Sequence, residues 1–176
     1  MTTNAELLRQ ALRNQHSQID QAVSDLTPEQ LHWVPPNTKA NHIGCTLWHY
    51  VRTEDNIVQF ILQNRKPTVW IEGGYFERFG LDRVAQGTGL STEDAQAMRI
   101  PPIDEWMKYQ QAVWQASDAY LSSIGDDALE GTVQIRPFGE IPARQALASV
   151  VLTHGHAHFG EICVLRVLQG LPSSII

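Results

Sequence analysis

The sequence has few cysteines and no basic cluster, and each shortage excludes a class of protein. Only two cysteines occur in 176 residues, which excludes a secreted scaffold held together by disulfides. The 13 Lys and Arg residues are scattered among 19 Asp and Glu residues, and the formal net charge is −6. Without a basic surface, neither nucleic acid nor an anionic membrane surface is an expected partner.

The chain also lacks a long uncharged apolar run. No stretch approaches the ~18 residues that read as a membrane-spanning helix. The first residues have neither the basic nor the apolar segment of a signal peptide, so we expect a cytoplasmic protein. Hydrophobic residues make up 43% of the sequence, enough for a core, and we expect one domain over residues 1–176.

Apolar residues recur at helical spacing in four long segments, about residues 4–23, 41–64, 104–123 and 142–169. We find no convincing pair of strands, and Thr132–Ile135 is extended at most. The pattern predicts an all-α four-helix bundle with an irregular insertion, about residues 65–102, between the second and third long helices. Long irregular segments are often functional. The aromatic side chains of this insertion could form a lid or pocket wall, or could cover one end of the bundle: Trp70, Tyr75, Phe76 and Phe79.

Three of the seven histidines fall within five residues of the last helix. At about 100° per residue, His154 and His158 share one face, whereas His156 lies almost opposite. An i,i+4 histidine pair can bind one metal ion. We expect this pair to look into the bundle, because residues of mostly apolar type share its face: Leu147, Val150, Glu161, Leu165 and Leu168.

A third ligand has to come from another helix. His49 lies midway along the second long helix, which can be a neighbour of the fourth in a four-helix bundle. Three histidines with open coordination positions are typical of a catalytic rather than a structural metal site. On its own, His49 could equally be a core histidine with its polar atoms satisfied.

These residues resemble the DinB-like superfamily of four-helix-bundle proteins, some of which are described as metal-dependent hydrolases. The resemblance is carried by Trp48–Asp55 on the second long helix and by His154-x3-His158-Phe159-Gly160-Glu161 on the fourth. The turn Leu26–Trp33 is also similar to the family's first loop. The family's usual ending is His-Arg-Gly-Gln, so Phe159 and Glu161 depart from it without changing the ligand spacing.

The resemblance implies that His49, His154 and His158 hold nickel, zinc, iron or a similar divalent ion. Nitrogen ligands with open positions do not choose among these metals. The family includes thiol-dependent transferases and isomerases, which implies a low-molecular-weight thiol as a further cofactor. A bound cation lowers the pKa of a coordinated thiol and makes it a nucleophile at neutral pH.

Glu161 is the candidate catalytic residue beyond the three histidines. It lies one turn beyond His158 and could orient an imidazole or act as a general base. Alternatively it is a buried carboxylate paired with Arg52 or a water. Glu54 points away from His49, so we expect a surface or helix–helix salt bridge there. Asn56 points inward and either contacts substrate or packs as an amide.

Two functions of different class remain open. The favoured one is a metal-dependent enzyme, a thiol-dependent S-transferase, an isomerase or a hydrolase, acting on a small-molecule substrate. The alternative is a non-catalytic metal-binding or dimeric interaction module of the same fold. We expect a homodimer, because the far side of the last helix is also apolar, with Ala148, Phe159, Cys163 and Val167.

Overall fold

Four long helical segments form the body of the protein in a computed structural model that describes residues 2–173. The second and fourth of these segments each contain a π-helical stretch. Their bounds are α1 (Asn4–Val23), α3 (Ile43–Asp55) followed by a π-helix (Asn56–Ile61), α7 (Ile103–Ser123), and α9 (Ala143–Gln145) followed by a π-helix (Ala146–Thr153) and α10 (His154–Leu168). The predicted helical bundle is confirmed.

Short elements fill the connections between the long segments. The helices are α2 (Pro28–Leu31), α4 (Val69–Glu72), α5 (Tyr75–Phe79), α6 (Thr92–Ala97) and α8 (Asp127–Glu130), and the strands are β1 (Thr132–Ile135) and β2 (Gly139–Pro142). The two strands pair antiparallel, with Thr132 opposite Pro142 and Ile135 opposite Gly139. The expectation of no strand pair is therefore wrong. Four-residue strands are too short to show a clear alternation of apolar and polar residues.

The order of the helices around the bundle places α3 beside α10. Each long helix packs against two others: α1 against α7 and α10, and α3 against α7 and α10. Helix α3 is buried on every side, and His49 is the single residue of α3 that is not fully buried. A helix enclosed in this way brings its side chains within reach of several elements at once.

The buried face of α10 differs from the predicted one. Glu161 and Leu168 are exposed, and His154 and His158 are half-buried. The residues that face the core are Gly155, Phe159, Ile162, Cys163, Leu165 and Arg166. The histidine pair therefore lies at the edge of the bundle and not at its centre. Phe159 and Cys163 belong to this chain's own core, so they cannot form the predicted subunit interface; the homodimer itself stays a prediction.

The aromatic residues of the insertion cover one end of the bundle. The rings of Trp70 and Tyr75 each lie 5.0 Å from that of Tyr109 on α7. Phe79 lies 6.0 Å from Trp106 on the same helix. These contacts support the second of the two interpretations offered for the insertion, in which its aromatic side chains complete the core.

Candidate metal centre

Three imidazole rings from two helices meet at the edge of the bundle. His49 is on α3, and His154 and His158 are on α10. The Nε2 atom of His154 lies 3.2 Å from Nε2 of His49 and 2.8 Å from Nε2 of His158. One ring nitrogen from each of the three lies within 4.8 Å of the other two. The structure thus brings together the three residues singled out in the sequence.

The outer nitrogens of two of these rings are occupied by acceptors. Nδ1 of His49 donates to the backbone carbonyl of Gln86, and Nδ1 of His158 donates to Oε2 of Glu161 at 2.8 Å. A neutral imidazole carries only one N–H, so both Nε2 atoms then present lone pairs. A single N–H on His154 can satisfy only one of them. A cation at the meeting point satisfies all three nitrogens.

The spacing of the Nε2 atoms fits a divalent metal ion. Metal–nitrogen bonds are about 2.1 Å long, so two nitrogens on one ion are about 3.0 Å apart at the right angles of an octahedral site and about 3.4 Å apart at the tetrahedral angle that zinc prefers. The observed 3.2 and 2.8 Å lie on either side of the octahedral value. A set of three nitrogens on one side of an ion leaves its remaining positions open, as in catalytic sites.

Burial favours the neutral form of two of the ligand imidazoles, those of His154 and His49. Burial, with a smaller contribution from the neighbouring rings of His158 and His49, lowers the pKa of His154 to about 4. Burial also lowers the pKa of His49, against the opposing effect of the Gln86 carbonyl. Metal binding requires neutral imidazoles, so neither ring has to lose a proton at neutral pH.

A glycine allows the two helices to approach closely enough for the rings to meet. A Cβ atom added at Gly155 would lie 2.5 Å from ring carbons of Tyr50 on α3. Tyr50 cannot easily move, because it is 1% exposed and its hydroxyl lies 2.7 Å from both Gln15 Oε1 and Glu54 Oε2. The contact between Gly155 and Tyr50 therefore sets the separation of α3 and α10 next to His154.

The segment Gln86–Thr88 of the insertion lies across His49. Gly87 has a φ of +88°, and a Cβ atom there would lie 2.9 Å from Trp48 and 3.1 Å from His49 Nδ1. Glycine adopts this left-handed conformation without strain and permits the close approach. The close fit brings the carbonyl of Gln86 to His49 Nδ1. The sequence showed two glycines here, but it did not connect them with His49.

Two cavities reach the triad on either side of this segment. A cavity of about 430 Å³ is lined by His49 and His154, by polar side chains that include Thr53 and Asn56, and by the hairpin tip at Arg136–Phe138. A second cavity of about 300 Å³ is lined by His49, His158, Cys45 and residues of the segment Gly87–Thr92. Thr88 contributes to both.

Glu161 contacts His158 and not Arg52. Its side chain is 55% exposed, and the hydrogen bond from His158 lowers its pKa. Arg52 is buried beside Asp55 instead, at 3.6 Å. The alternative in which Glu161 is buried and paired with Arg52 is therefore wrong. A carboxylate that accepts from the outer nitrogen of a ligand histidine fixes the orientation of the ring.

Glu54 is the centre of a buried polar cluster and not a surface residue. It is 0% exposed, and it accepts hydrogen bonds from Ser117 at 2.6 Å and Tyr50 at 2.7 Å, with His16 at 3.0 Å. The contact between Glu54 and His16 links α3 to α1 in the core, and the predicted surface position of Glu54 is wrong. The ring of His16 stacks on Trp114 at 3.9 Å.

The residues around the triad include an unreactive cysteine and two side chains that the sequence did not predict. Burial raises the pKa of the Cys45 thiol to about 11, which keeps it protonated and a poor nucleophile. Arg136 and Phe138 line the larger cavity from a hairpin that the sequence pattern did not reveal. Asn56 also lines that cavity, which fits the inward orientation expected for it.

Comparisons with known proteins agree with this architecture. The sequence profile of the DinB superfamily matches residues 11–162, a range that contains all three histidines and Glu161. No curated protein sequence matches the chain. The crystal structure of the conserved protein of locus from Enterococcus faecalis is similar, with a TM-score of 0.79 over 96% of this chain and 98% of that chain. The sequence identity is 18%, so this likeness concerns the fold alone.

Among the described residues, no helix has the length and apolar character needed to cross a bilayer.

Proposed function

Because the chain belongs to the DinB superfamily, we propose that it is a metal-dependent enzyme whose divalent ion is held by His49, His154 and His158. The ion would be nickel, zinc or iron. The observation that carries this proposal is the convergence of three Nε2 atoms, two of which have their outer nitrogens held by acceptors. Such an ion lowers the pKa of a coordinated thiol or water and supplies a nucleophile at neutral pH.

Two hydrogen-bond acceptors of this chain, one backbone carbonyl and one carboxylate, orient the ligand histidines. The carbonyl of Gln86 holds His49 with Nε2 facing inward, and Glu161 does the same for His158. Outer hydrogen bonds of this kind raise the basicity of ligand imidazoles. We assign Glu161 to this positioning role, and not to that of a general base, since its carboxylate is already engaged by His158 and its pKa is lowered.

The two cavities support catalysis over a non-catalytic module. In a module whose site has lost its activity, side chains would be expected to fill the space beside the metal. Here cavities of about 430 and 300 Å³ reach the triad from two sides. Access from two sides suits a reaction with two partners, such as a low-molecular-weight thiol and the molecule to which it is transferred. This favours an S-transferase or isomerase over a hydrolase.

The metal content of protein purified without an affinity tag tests the proposal. We expect one divalent ion per chain in the wild type and a loss of that ion in His158→Ala. His156→Ala is the matched control, because His156 lies on the same helix and is exposed. Full metal content in His158→Ala would contradict the triad. Equal losses in the two variants would show that the effect is not specific to the site.

Cobalt-substituted protein distinguishes a thiol from water as the activated group. Binding of a thiolate to cobalt adds a charge-transfer absorption band. We expect this band on addition of a small thiol to the wild type and not to His158→Ala. A cobalt spectrum that no thiol changes would contradict the thiol-dependent reaction.

A further inference from the structure

The tip of the β1–β2 hairpin contributes the guanidinium of one arginine and one aromatic ring to the lining of the larger cavity. Arg136 and Phe138 lie in the turn between the strands, and both line the cavity that also contains His49 and His154. Phe138 is 61% exposed and Arg136 is exposed. The ring is therefore accessible to a ligand in the cavity.

Arg136 is the single Lys, Arg, Asp or Glu side chain in that lining, and the imidazoles of His49 and His154 are neutral. Within residues 2–173, no carboxylate lies at ion-pair distance from its guanidinium, although the chain has a net charge of −6. Glu140, on the neighbouring strand, instead accepts a hydrogen bond from Thr132 at 2.7 Å. The lining of the cavity contains no Asp or Glu. Its electrostatic character therefore favours an anionic ligand.

The rest of the lining combines apolar surface with neutral hydrogen-bonding groups. The apolar side chains are Ile57, Ile135, Pro137, Phe138 and Val150, and the neutral polar ones are Thr53, Asn56, Gln86, Thr88 and Ser149. A volume of about 430 Å³ is within the range of small-molecule sites. By contrast, the lining of the second cavity contains no Lys, Arg, Asp or Glu.

We propose that the larger cavity binds an organic substrate that carries one carboxylate, with the guanidinium of Arg136 on the carboxylate and Phe138 over the apolar body. The other end of the substrate then faces His49 and His154. The planar guanidinium matches a carboxylate with two parallel hydrogen bonds. One cation without a second Arg or Lys suits a monoanion better than a phosphate dianion. This inference rests on the proposed function, since it names the substrate class of the same site.

The test uses cobalt-substituted full-length protein and probes that reach both ends of the cavity. The probes are mercaptoalkanoic acids of increasing chain length, each paired with the mercaptoalkanol of the same length. Their affinities are read from the thiolate-to-cobalt band. At the chain length that spans the cavity, we expect the acid to bind the wild type about tenfold more tightly than the alcohol, as for a hydrogen bond to a charged group.

Variants assign this preference to one side chain. Arg136→Gln should remove it, and Arg136→Lys should keep part of it, since the charge remains but the two-pronged geometry does not. Arg144→Gln is the matched control, because Arg144 is an exposed arginine that follows the same hairpin and pairs with Glu130 outside the cavity. Arg144→Gln should keep the full preference.

The outcomes separate this inference from the proposed function. Equal binding of acid and alcohol by the wild type, or a preference that survives Arg136→Gln, overturns the carboxylate site while leaving the metal enzyme in place. If no thiol gives a band, the thiol-dependent function fails, and a metal-free measurement decides the inference. In that measurement, the alkanoate of the same length is titrated into metal-free, isotope-labelled protein, and the backbone amide signals are followed by NMR. Shifts of the amide signals of Ile135, Arg136, Phe138 and Gly139 that Arg136→Gln abolishes support the site, and the absence of such shifts overturns it.

Discussion

The contact between Gly155 and Tyr50 predicts that one added methyl group disturbs the metal centre. In Gly155→Ala, the new Cβ atom would lie 2.5 Å from ring carbons of Tyr50. Carbon atoms in favourable contact are about 3.5–4.0 Å apart, so the helices or the ring must separate by roughly 1 Å. The ring is held by Gln15 and Glu54 in the core. We therefore expect α10 to move away from α3, and His154 to move with it.

Gly160→Ala is the reference variant against which the loss of stability in Gly155→Ala is measured. Gly160 lies on the same helix, and a Cβ atom there meets nothing within 4 Å. Both substitutions gain about 1 kcal/mol of helix propensity, so their difference isolates the steric cost. Overpacking of a core costs about 1–3 kcal/mol. Gly155→Ala should therefore unfold at a temperature lower than that of Gly160→Ala by a few degrees to about ten degrees.

The assay measures thermal unfolding and metal affinity of the two variants side by side. Metal affinity should fall in Gly155→Ala and stay at the wild-type value in Gly160→Ala, because His154 is adjacent to Gly155 in the chain. If the two alanine variants are equally stable and bind metal equally well, the close packing of α3 and α10 does not position the triad.

Three further substitutions test other parts of the structure. Gly87→Ala should weaken metal binding about tenfold by displacing Gln86 from His49. Gly89→Ala is the control and should leave metal binding unchanged, because Gly89 has a similar φ of +82° but no neighbour near the added Cβ atom. Equal metal affinities of the two variants would contradict the role of this segment. Glu54→Ala should lower the free energy of unfolding by about 3 kcal/mol or more in urea, because buried hydrogen-bond donors lose their acceptor, whereas the exposed Glu93→Ala should change it by less than about 0.5 kcal/mol. The hydrogen bond from Arg166 lowers the pKa of Asp25, so this carboxylate stabilises the fold above its unfolded pKa of about 3.9 and loses that effect as pH falls through its folded pKa. Asp25→Asn should cost no more than about 1 kcal/mol at neutral pH, since the side chain is 58% exposed, and the difference from wild type should vanish in acid; a difference that persists in acid would contradict this assignment.

The long helices and the histidine pair could be predicted because their signals are local. The bounds predicted for the first helix, residues 4–23, are those of α1. The spacing of His154 and His158 needs only the pitch of one helix. His49 could be added through the family resemblance, whose motifs on two helices occur in the expected order.

The orientation of α10 could not be predicted from a single helical period. A π-helix over Ala146–Thr153 precedes His154, and its hydrogen bonds skip one residue more than those of an α-helix. An apolar stripe counted at 3.6 residues per turn therefore loses phase across it. Glu161 and Leu168, which were placed on the inward face, are exposed, while the core-facing Gly155 has no side chain to reveal its role.

The surroundings of the triad depend on contacts that have no local signal. Gln86 reaches His49 across 37 positions of the sequence. The hairpin tip at Arg136–Phe138 comes from strands of four residues each. Such long-range contacts are set by the packing of the whole bundle. The cavity and the position of Arg136 in its lining could therefore be seen only in the structure.

Anomalous diffraction from crystals of the metal-loaded wild type tests the central claim most directly. Data collected at the absorption edge of the bound metal locate the ion without reference to the protein coordinates. We predict a single peak about 2.1 Å from Nε2 of His49, His154 and His158. A peak elsewhere, or a peak that only His154 and His158 contact while His49 points away, would contradict the account.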